Sequence, residues 1–331
     1  MSARARAVIF GCAGLRLTDA ERALFARAQP WGAILFARNI ETPEQVAALT
    51  SEFRDATGRD LPILIDQEGG RVQRLRPPHW RDWLPALDQC ARAPAQAMQL
   101  RGQIIAGELR ALGIDVNCAP LADIARSETH AILRNRCYGT TVETVVANAR
   151  AMAEGLLAGG VLPVLKHIPG HGRATLDSHL ALPVVGSPHA ELSETDFAAF
   201  AALSDLPLGM TAHLVFCAID PDCPVTLSQP MIGLIRDEIG FGGLLMTDDI
   251  SMQALSGPVT ARARAALAAG CDLVLHCNGD LAEMTALAEI CPVLVGDASA
   301  RSERALAMRP ASQETDLAAL VDAYQKLVMS V

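Results

Sequence analysis

Short apolar runs separated by longer amphipathic stretches set the rhythm of this chain. Eight runs stand out, at residues 7–12, 32–36, 62–66, 115–119, 162–167, 208–213, 244–248 and 272–277. Each is continuously apolar rather than alternating, the pattern of parallel strands buried on both faces. Helical patterns fill the gaps. Thr42-Pro43-Glu44 has the form of a helix start, with threonine as cap and proline in the first turn. Residues 94–112 form a helix that stops at Gly113, and 142–158 one closed by Gly159-Gly160. Ser228-Gln229-Pro230 opens another that ends near Gly240, and 261–269 precedes Gly270. Eight strands alternating with helices, and no glycine-rich dinucleotide fingerprint, predict a closed α/β barrel of the (β/α)8 TIM type over an open doubly wound sheet. The chain, 1–331, reads as a single domain with the barrel over about 5–290. The tail, about 291–331, reads as additional helix packed outside the barrel.

Half of the residues are apolar, enough for a core of that size. The net charge of −9 comes with no Lys/Arg stripe, which excludes nucleic acid and anionic membrane as expected partners. Nine cysteines, an odd number with no CxxC pair, point to buried free thiols in a reducing compartment rather than a disulfide framework. The run after Arg4 and Arg6 faintly resembles a secretory signal, but it is short and Arg16 interrupts it, so it reads as the first strand. No stretch is apolar enough to span a bilayer. A cytoplasmic monomer is the expectation.

In a barrel of this kind, chemistry sits where strands end. Three polar clusters fall at such ends. The first is Asp66-Gln67-Glu68-Gly69-Gly70-Arg71-Val72-Gln73-Arg74. Asp66 and Arg74 read as ligand contacts, a carboxylate for substrate hydroxyls and a guanidinium for an acyl or carboxylate oxygen. Glu68 and Arg71 read as an internal acid–arginine network. The second cluster runs from Lys166-His167 through Pro169, Gly170, His171 and Arg173 to Asp177-Ser178-His179. Asp177 stands two residues before His179, the spacing that lets a carboxylate fix an imidazole tautomer for proton transfer. A metal site on His167, His171 and His179 competes with that reading, though no compact ligand motif is present. The third is Thr247-Asp248-Asp249. Successive residues of a strand face opposite ways, so one acid reaches the barrel mouth and the other makes structural hydrogen bonds. Asp123, Arg134, Arg136, His213, His276 and Asn278 are evenly balanced between site and core. His79, Trp80 and Trp83 fit either a wall of the mouth or loop packing.

These three clusters, in order and spacing, resemble glycoside hydrolase family 3, in particular its single-domain bacterial β-N-acetylhexosaminidases. The resemblance covers about residues 5–290. It implies a barrel, agreeing with the strand count, and no metal or organic cofactor. It implies Asp248 as nucleophile, His179 as acid/base and Asp177 as its orienting partner. Asp66, Arg74, Arg136, Lys166 and His167 then match residues that hold a non-reducing N-acetylglucosamine. Asn135-Arg136-Cys137-Tyr138 departs from the family's usual Asp/Glu-Arg-Ser-Phe/Tyr, which leaves Arg134 as a competitor for Arg136. Larger members take their acid/base from a second domain; this chain is too short for one, so the proton donor is expected on the barrel's own loop. The implied substrate is a peptidoglycan turnover fragment, N-acetylglucosamine on anhydro-muramic acid with or without peptide. A phosphorylase, a β-glucosidase and a non-catalytic sugar-binding protein are the alternatives.

Overall fold

The computed structural model describes residues 5–178, 181–309 and 316–329. Eight parallel strands form a closed barrel: β1 Arg6–Phe10, β2 Pro30–Leu35, β3 Ile63–Ile65, β4 Val116–Asn117, β5 Leu162–Ile168, β6 Leu208–Thr211, β7 Leu244–Asp249 and β8 Leu273–His276. Each strand pairs with the next in chain order, and β8 closes on β1 with Val8 opposite Val274. All eight apolar runs therefore contain a strand, and the open-sheet alternative falls. Five strands are shorter than their runs, and around two of them, β3 and β4, polar side chains bond sideways to the neighbouring chain. The Asp115 carboxylate accepts from the Ile63 N–H at 2.7 Å, and Asn117 Oδ1 accepts from the Gln67 N–H at 3.0 Å.

The longer helices outside the strands are α1 Asp19–Ala28, α2 Pro43–Thr57, α3 Ala95–Ala111, α4 Val142–Ala158, α5 Gln229–Asp237, α6 Val259–Ala269 and α7 Leu281–Ile290. Their ends follow the cap chemistry in the sequence. Thr42 accepts from the Gln45 N–H with Pro43 in the first turn, and Ser228 accepts from the Met231 N–H. Gly270 ends α6 at φ +113°, a backbone conformation that side-chain-bearing residues rarely adopt.

Alternate strand residues fill the barrel interior, among them Ile9, Leu64, Val116, Val164, Met210, Met246 and Leu275. The opposite parity, including Phe10, Ile65, Leu165, Leu245 and Val274, packs against the helices. The tail does more than pack outside. Leu294 and Ala305 of the segment carrying α8 Gly296–Ala307 join the interior cluster beside Trp31, whose Nε1–H donates to Ser302 Oγ at 2.7 Å. Arg301 of α8 and Arg236 of α5 both bind Asp272 at the start of β8. The strand-start end of the barrel is thus sealed by apolar and ion-paired residues. A further helix, α9 Leu317–Met329, packs on α3.

All nine cysteines are unbridged, and six of them are buried. No helix among the described residues is long and apolar enough to cross a membrane.

Close packing inside the barrel makes truncation expensive. Leu208→Ala is expected to lower the unfolding free energy by about 2–5 kcal/mol. Urea denaturation reads this as a lower midpoint at unchanged slope. A loss below about 1 kcal/mol would show that the interior relaxes around the deletion.

Candidate active site

The inward parity of the strands continues past the apolar layers into polar residues. Leu64 is followed two residues on by Asp66, Val164 by Lys166 and Met246 by Asp248. These three side chains line one cavity of about 260 Å³ at the strand-end mouth. Arg74, Arg136, His167 and Asp177 line it too, so seven of the eight residues expected at the site surround one space. The eighth, His179, lies outside the described residues.

Beyond β3 the chain makes a tight antiparallel turn, Gln67–Gly69 against Val72–Gln73. Gly69, at φ +106°, is required twice: by its backbone conformation, and because a Cβ there would lie 1.7 Å from the guanidinium of buried Arg101. Gln67 Oε1 accepts from the Arg74 and Leu75 N–H groups, at 2.9 and 3.0 Å, which brings the returning chain back over the strand end. Arg74 Nη2 then reaches Asp66 Oδ2 at 2.9 Å. Lys166 Nζ lies 2.9 Å from Asp66 Oδ1 and 2.6 Å from Glu68 Oε1. Arg136 forks onto Glu68 at 2.9 and 2.8 Å. The result is an alternating row of charges, Arg74–Asp66–Lys166–Glu68–Arg136.

Burial alone would raise both carboxyl pKa values. For Asp66, the charges of Lys166 and Arg74 outweigh burial and hold it well below the usual carboxylate range. For Glu68, Arg136 and then Lys166 do the same. Burial works against the Lys166 ammonium, but Asp66 and Glu68 raise its pKa above the ordinary value.

Two readings of the first cluster change. Glu68 belongs to an ion network, but its partners are Arg136 and Lys166, not Arg71. Arg71 is exposed at the cavity rim and donates to the Ile132 carbonyl at 2.8 Å. Arg134, the competitor for Arg136, is exposed and donates to the Ser127 carbonyl away from the cavity. It turns outward because it ends the short helix Ala131–Arg134 on the solvent side, whereas Arg136 is drawn in by Glu68.

Both adjacent acids on β7 border the cavity, where strand alternation predicts one, but they divide their work. The Asp249 carboxylate accepts from Ser251 N–H and Oγ–H at 3.0 and 2.7 Å and from the Cys277 N–H at 3.2 Å, closing the loop that follows. Asp248 takes only its neighbour's N–H, at 2.7 Å, among the described residues. Burial pushes the Asp248 carboxyl up. The His167 and His213 imidazoles, the Asp249 N–H and the Lys166 ammonium outweigh burial and bring it below its ordinary value.

His167 Nδ1 is 2.8 Å from Asp123 Oδ2, and the His171 N–H donates to Asp123 Oδ1 at 2.6 Å. Asp123 is thereby the buried post for both histidines, a role for which its place soon after β4 was the only signal in the sequence. Burial, with His167 beside it, lowers the His171 pKa to about 4, so that imidazole is neutral near pH 7. Arg173 anchors the loop bearing Asp177, through Asp196 at 2.7 Å and Glu191 at 2.6 Å, and Arg126 reaches the same Asp196. Nothing in the sequence marked Asp196 for this purpose.

Other candidates belong to packing. His213 lies between Thr226 Oγ1 and the Asp249 carbonyl, and His276 and Asn278 both meet Glu283 on α7. Trp83 packs on Tyr324 and buried Arg101, and His79 on Trp80, so the cavity wall comes instead from Phe36, Val72, Ile132 and Met252.

The glycosyl hydrolase family 3 N terminal domain matches residues 7–300. The chain belongs to glycosyl hydrolase family 3, and it is a glycoside hydrolase. The "Beta-hexosaminidase" of Alkalilimnicola ehrlichii is 41% identical over 283 residues, 82% of this chain and 80% of that protein. That of Chromobacterium violaceum is 37% identical, covering 90% of this chain and 85% of its own. Among solved structures, NagZ from Neisseria gonorrhoeae in complex with N-trifluoroacetyl-D-glucosamine superposes with a TM-score of 0.87 at 30% identity, over 98% of both chains. The family 3 β-N-acetylglucosaminidase from a Paenibacillus species gives 0.86 at 30% identity, over 97% of this chain and 67% of that one.

The row of charges has a testable energetic consequence. Lys166→Met leaves Asp66 and Glu68 sharing buried space without their central cation, at an expected cost of about 3–5 kcal/mol near pH 7. Both carboxyls have folded-state pKa values below their unfolded ones, so their contribution is present above about pH 4 and fades as pH falls. The gap between urea melts of parent and variant should therefore narrow progressively as pH falls below about 4, toward the depressed folded-state values. A pH-independent difference would show that packing, not charge, sets the loss.

Proposed function

We propose that this glycoside hydrolase is a retaining, exo-acting β-N-acetylglucosaminidase. It removes the non-reducing N-acetylglucosamine from peptidoglycan turnover fragments whose leaving group is an anhydro-muramic unit, with or without peptide. The observation that carries this reading is the common cavity. Asp248, held ionised, and Asp177, two residues before His179, open onto the same space as the row of charges. The names of the relatives, and the N-acylated glucosamine bound by the gonococcal structure, support an amino sugar over glucose.

In the proposed cycle, the deep end of the cavity binds the sugar. Asp66 accepts from ring hydroxyls, while Arg74, Arg136, Lys166 and His167 supply donors. Asp248 attacks the anomeric carbon as His179, protonated and steadied by Asp177, gives a proton to the leaving oxygen. The glycosyl–Asp248 ester is then hydrolysed by water, deprotonated by the now neutral His179, and the sugar leaves with its original configuration.

Phosphorolysis is the less favoured reading. Arg173, the cation that would suit a phosphate on the loop, is engaged by Asp196 and Glu191 and does not line the cavity. Lys166 lies between two carboxylates, which repel an incoming phosphate. Binding without catalysis accounts poorly for an ionised acid such as Asp248 that, among the described residues, does no structural bonding beyond its neighbour's N–H.

Assays with nitrophenyl N-acetylglucosaminide should release free sugar at the same rate with and without phosphate. A sugar phosphate product would favour the rival. Asp248→Ala should nearly abolish turnover, and a 5-fluoro N-acetylglucosaminyl fluoride should label Asp248, as read by mass spectrometry of peptides. A label on any other residue contradicts the assignment. His179→Ala should slow cleavage of poor leaving groups by about 10²–10⁴-fold and affect good ones much less. Equal slowing of both would remove His179 from the proton-donor role.

A further inference from the structure

Four side chains of fixed positive charge line the cavity: Arg71, Arg74, Arg136 and Lys166. Three are neutralised in place, Arg74 by Asp66, Arg136 by Glu68 and Lys166 by both. Arg71 differs. Among the described residues no carboxylate lies within ion-pair distance of it, and its side chain makes one hydrogen bond, from Nη1 to the Ile132 carbonyl at 2.8 Å. That bond ties the guanidinium to the wall and uses one of its five N–H donors.

Depth separates Arg71 from the other three. The Lys166 and Asp66 side chains are 3% and 14% exposed, so the neutralised charges occupy the closed end. Arg71 is exposed, at the rim beside Val72, Ile132 and Leu133. A cavity of about 260 Å³ is on the scale of a single acylated sugar ring. Whatever is attached to that ring must leave across the rim, where Arg71 is exposed.

We propose that Arg71 is a specificity-determining residue that binds an anionic group, a carboxylate, on the leaving-group side of the substrate. A guanidinium forks onto carboxylate oxygens, and one anchored at its base loses less side-chain freedom when it does so. This deepens the glycosidase reading and rests on it. It assigns the preference for an acidic leaving group to one side chain, outside the row of charges that holds the sugar.

The test compares two disaccharides that differ in one group: N-acetylglucosaminyl-β-1,4-N-acetylglucosamine, which is neutral, and N-acetylglucosaminyl-β-1,4-N-acetylmuramic acid, which adds a lactyl carboxylate. The parent protein should favour the acidic one in kcat/KM by about five- to tenfold at low salt, as a partly exposed charge-assisted bond allows. Added salt should shrink the ratio. Arg71→Ala should bring the ratio close to one, and Arg71→Lys should retain part of it. Circular dichroism melts of the variants confirm folding. Cleavage of both disaccharides by the parent at equal efficiency, or an Arg71→Ala ratio equal to the parent's, would overturn the Arg71 proposal and leave the glycosidase reading standing. Cleavage of neither by the parent would overturn both. Formation of sugar phosphate when inorganic phosphate is added, lost in Arg71→Ala, would assign the residue to phosphate and overturn the leaving-group proposal.

Discussion

Lys166 lies between two buried carboxylates, and the mouth of the barrel is organised around that contact. The ammonium reaches Asp66 from β5 to the end of β3 and Glu68 in the turn beyond it. Each carboxylate passes the charge on to an arginine, Arg74 or Arg136, supplied by a different loop. A buried charge left alone is costly, so these five groups hold one another in place. The wall they form is held by ion pairs and is rich in groups suited to sugar hydroxyls and an acyl oxygen. A polyhydroxylated ring can take over hydrogen bonds that such groups otherwise make to water.

The fold produces this arrangement through parity. Inward positions along β3, β5 and β7 are leucine, valine and methionine until the last turn of the barrel, where they become Asp66, Lys166 and Asp248. The tail helix α8 seals the opposite end with Leu294, Ala305 and the Trp31–Ser302 hydrogen bond. One end is dry and closed, the other polar and open. Asp248 and Asp249 both border the cavity, but Asp248 meets it as a carboxylate kept ionised by its surroundings, while the oxygens of Asp249 are taken up by the loop that follows.

Much of this was legible in the sequence. Continuous apolar runs marked all eight strands, though not their limits, because strands buried on both faces show unbroken apolar stretches. Threonine, serine, proline and glycine marked helix ends because caps are local chemistry. The polar residues that line the cavity were legible as strand-end clusters, sharpened by family resemblance. Partner choice was not. Glu68 lies near Arg71 in sequence, yet pairs with Arg136 and Lys166, because side chains converge across the barrel mouth from distant strands. Asp123 holding His167 and His171, and Asp196 holding Arg173 and Arg126, are contacts of the same long-range kind. The tail's role as a plug was hidden because amphipathic helix on the outside and helix across a barrel end have the same local pattern.

The central claim is that the row of charges and Asp248 form one receptor for a single N-acetylglucosamine ring. A crystal structure of the protein with N-acetylglucosamine bound tests it most directly. The account predicts the ring at the deep end of the cavity, hydroxyls on Asp66, Arg74 and Lys166, and the anomeric carbon within about 3.5 Å of an Asp248 oxygen. A sugar seated elsewhere, or in the cavity with its anomeric carbon turned away from Asp248, would contradict it.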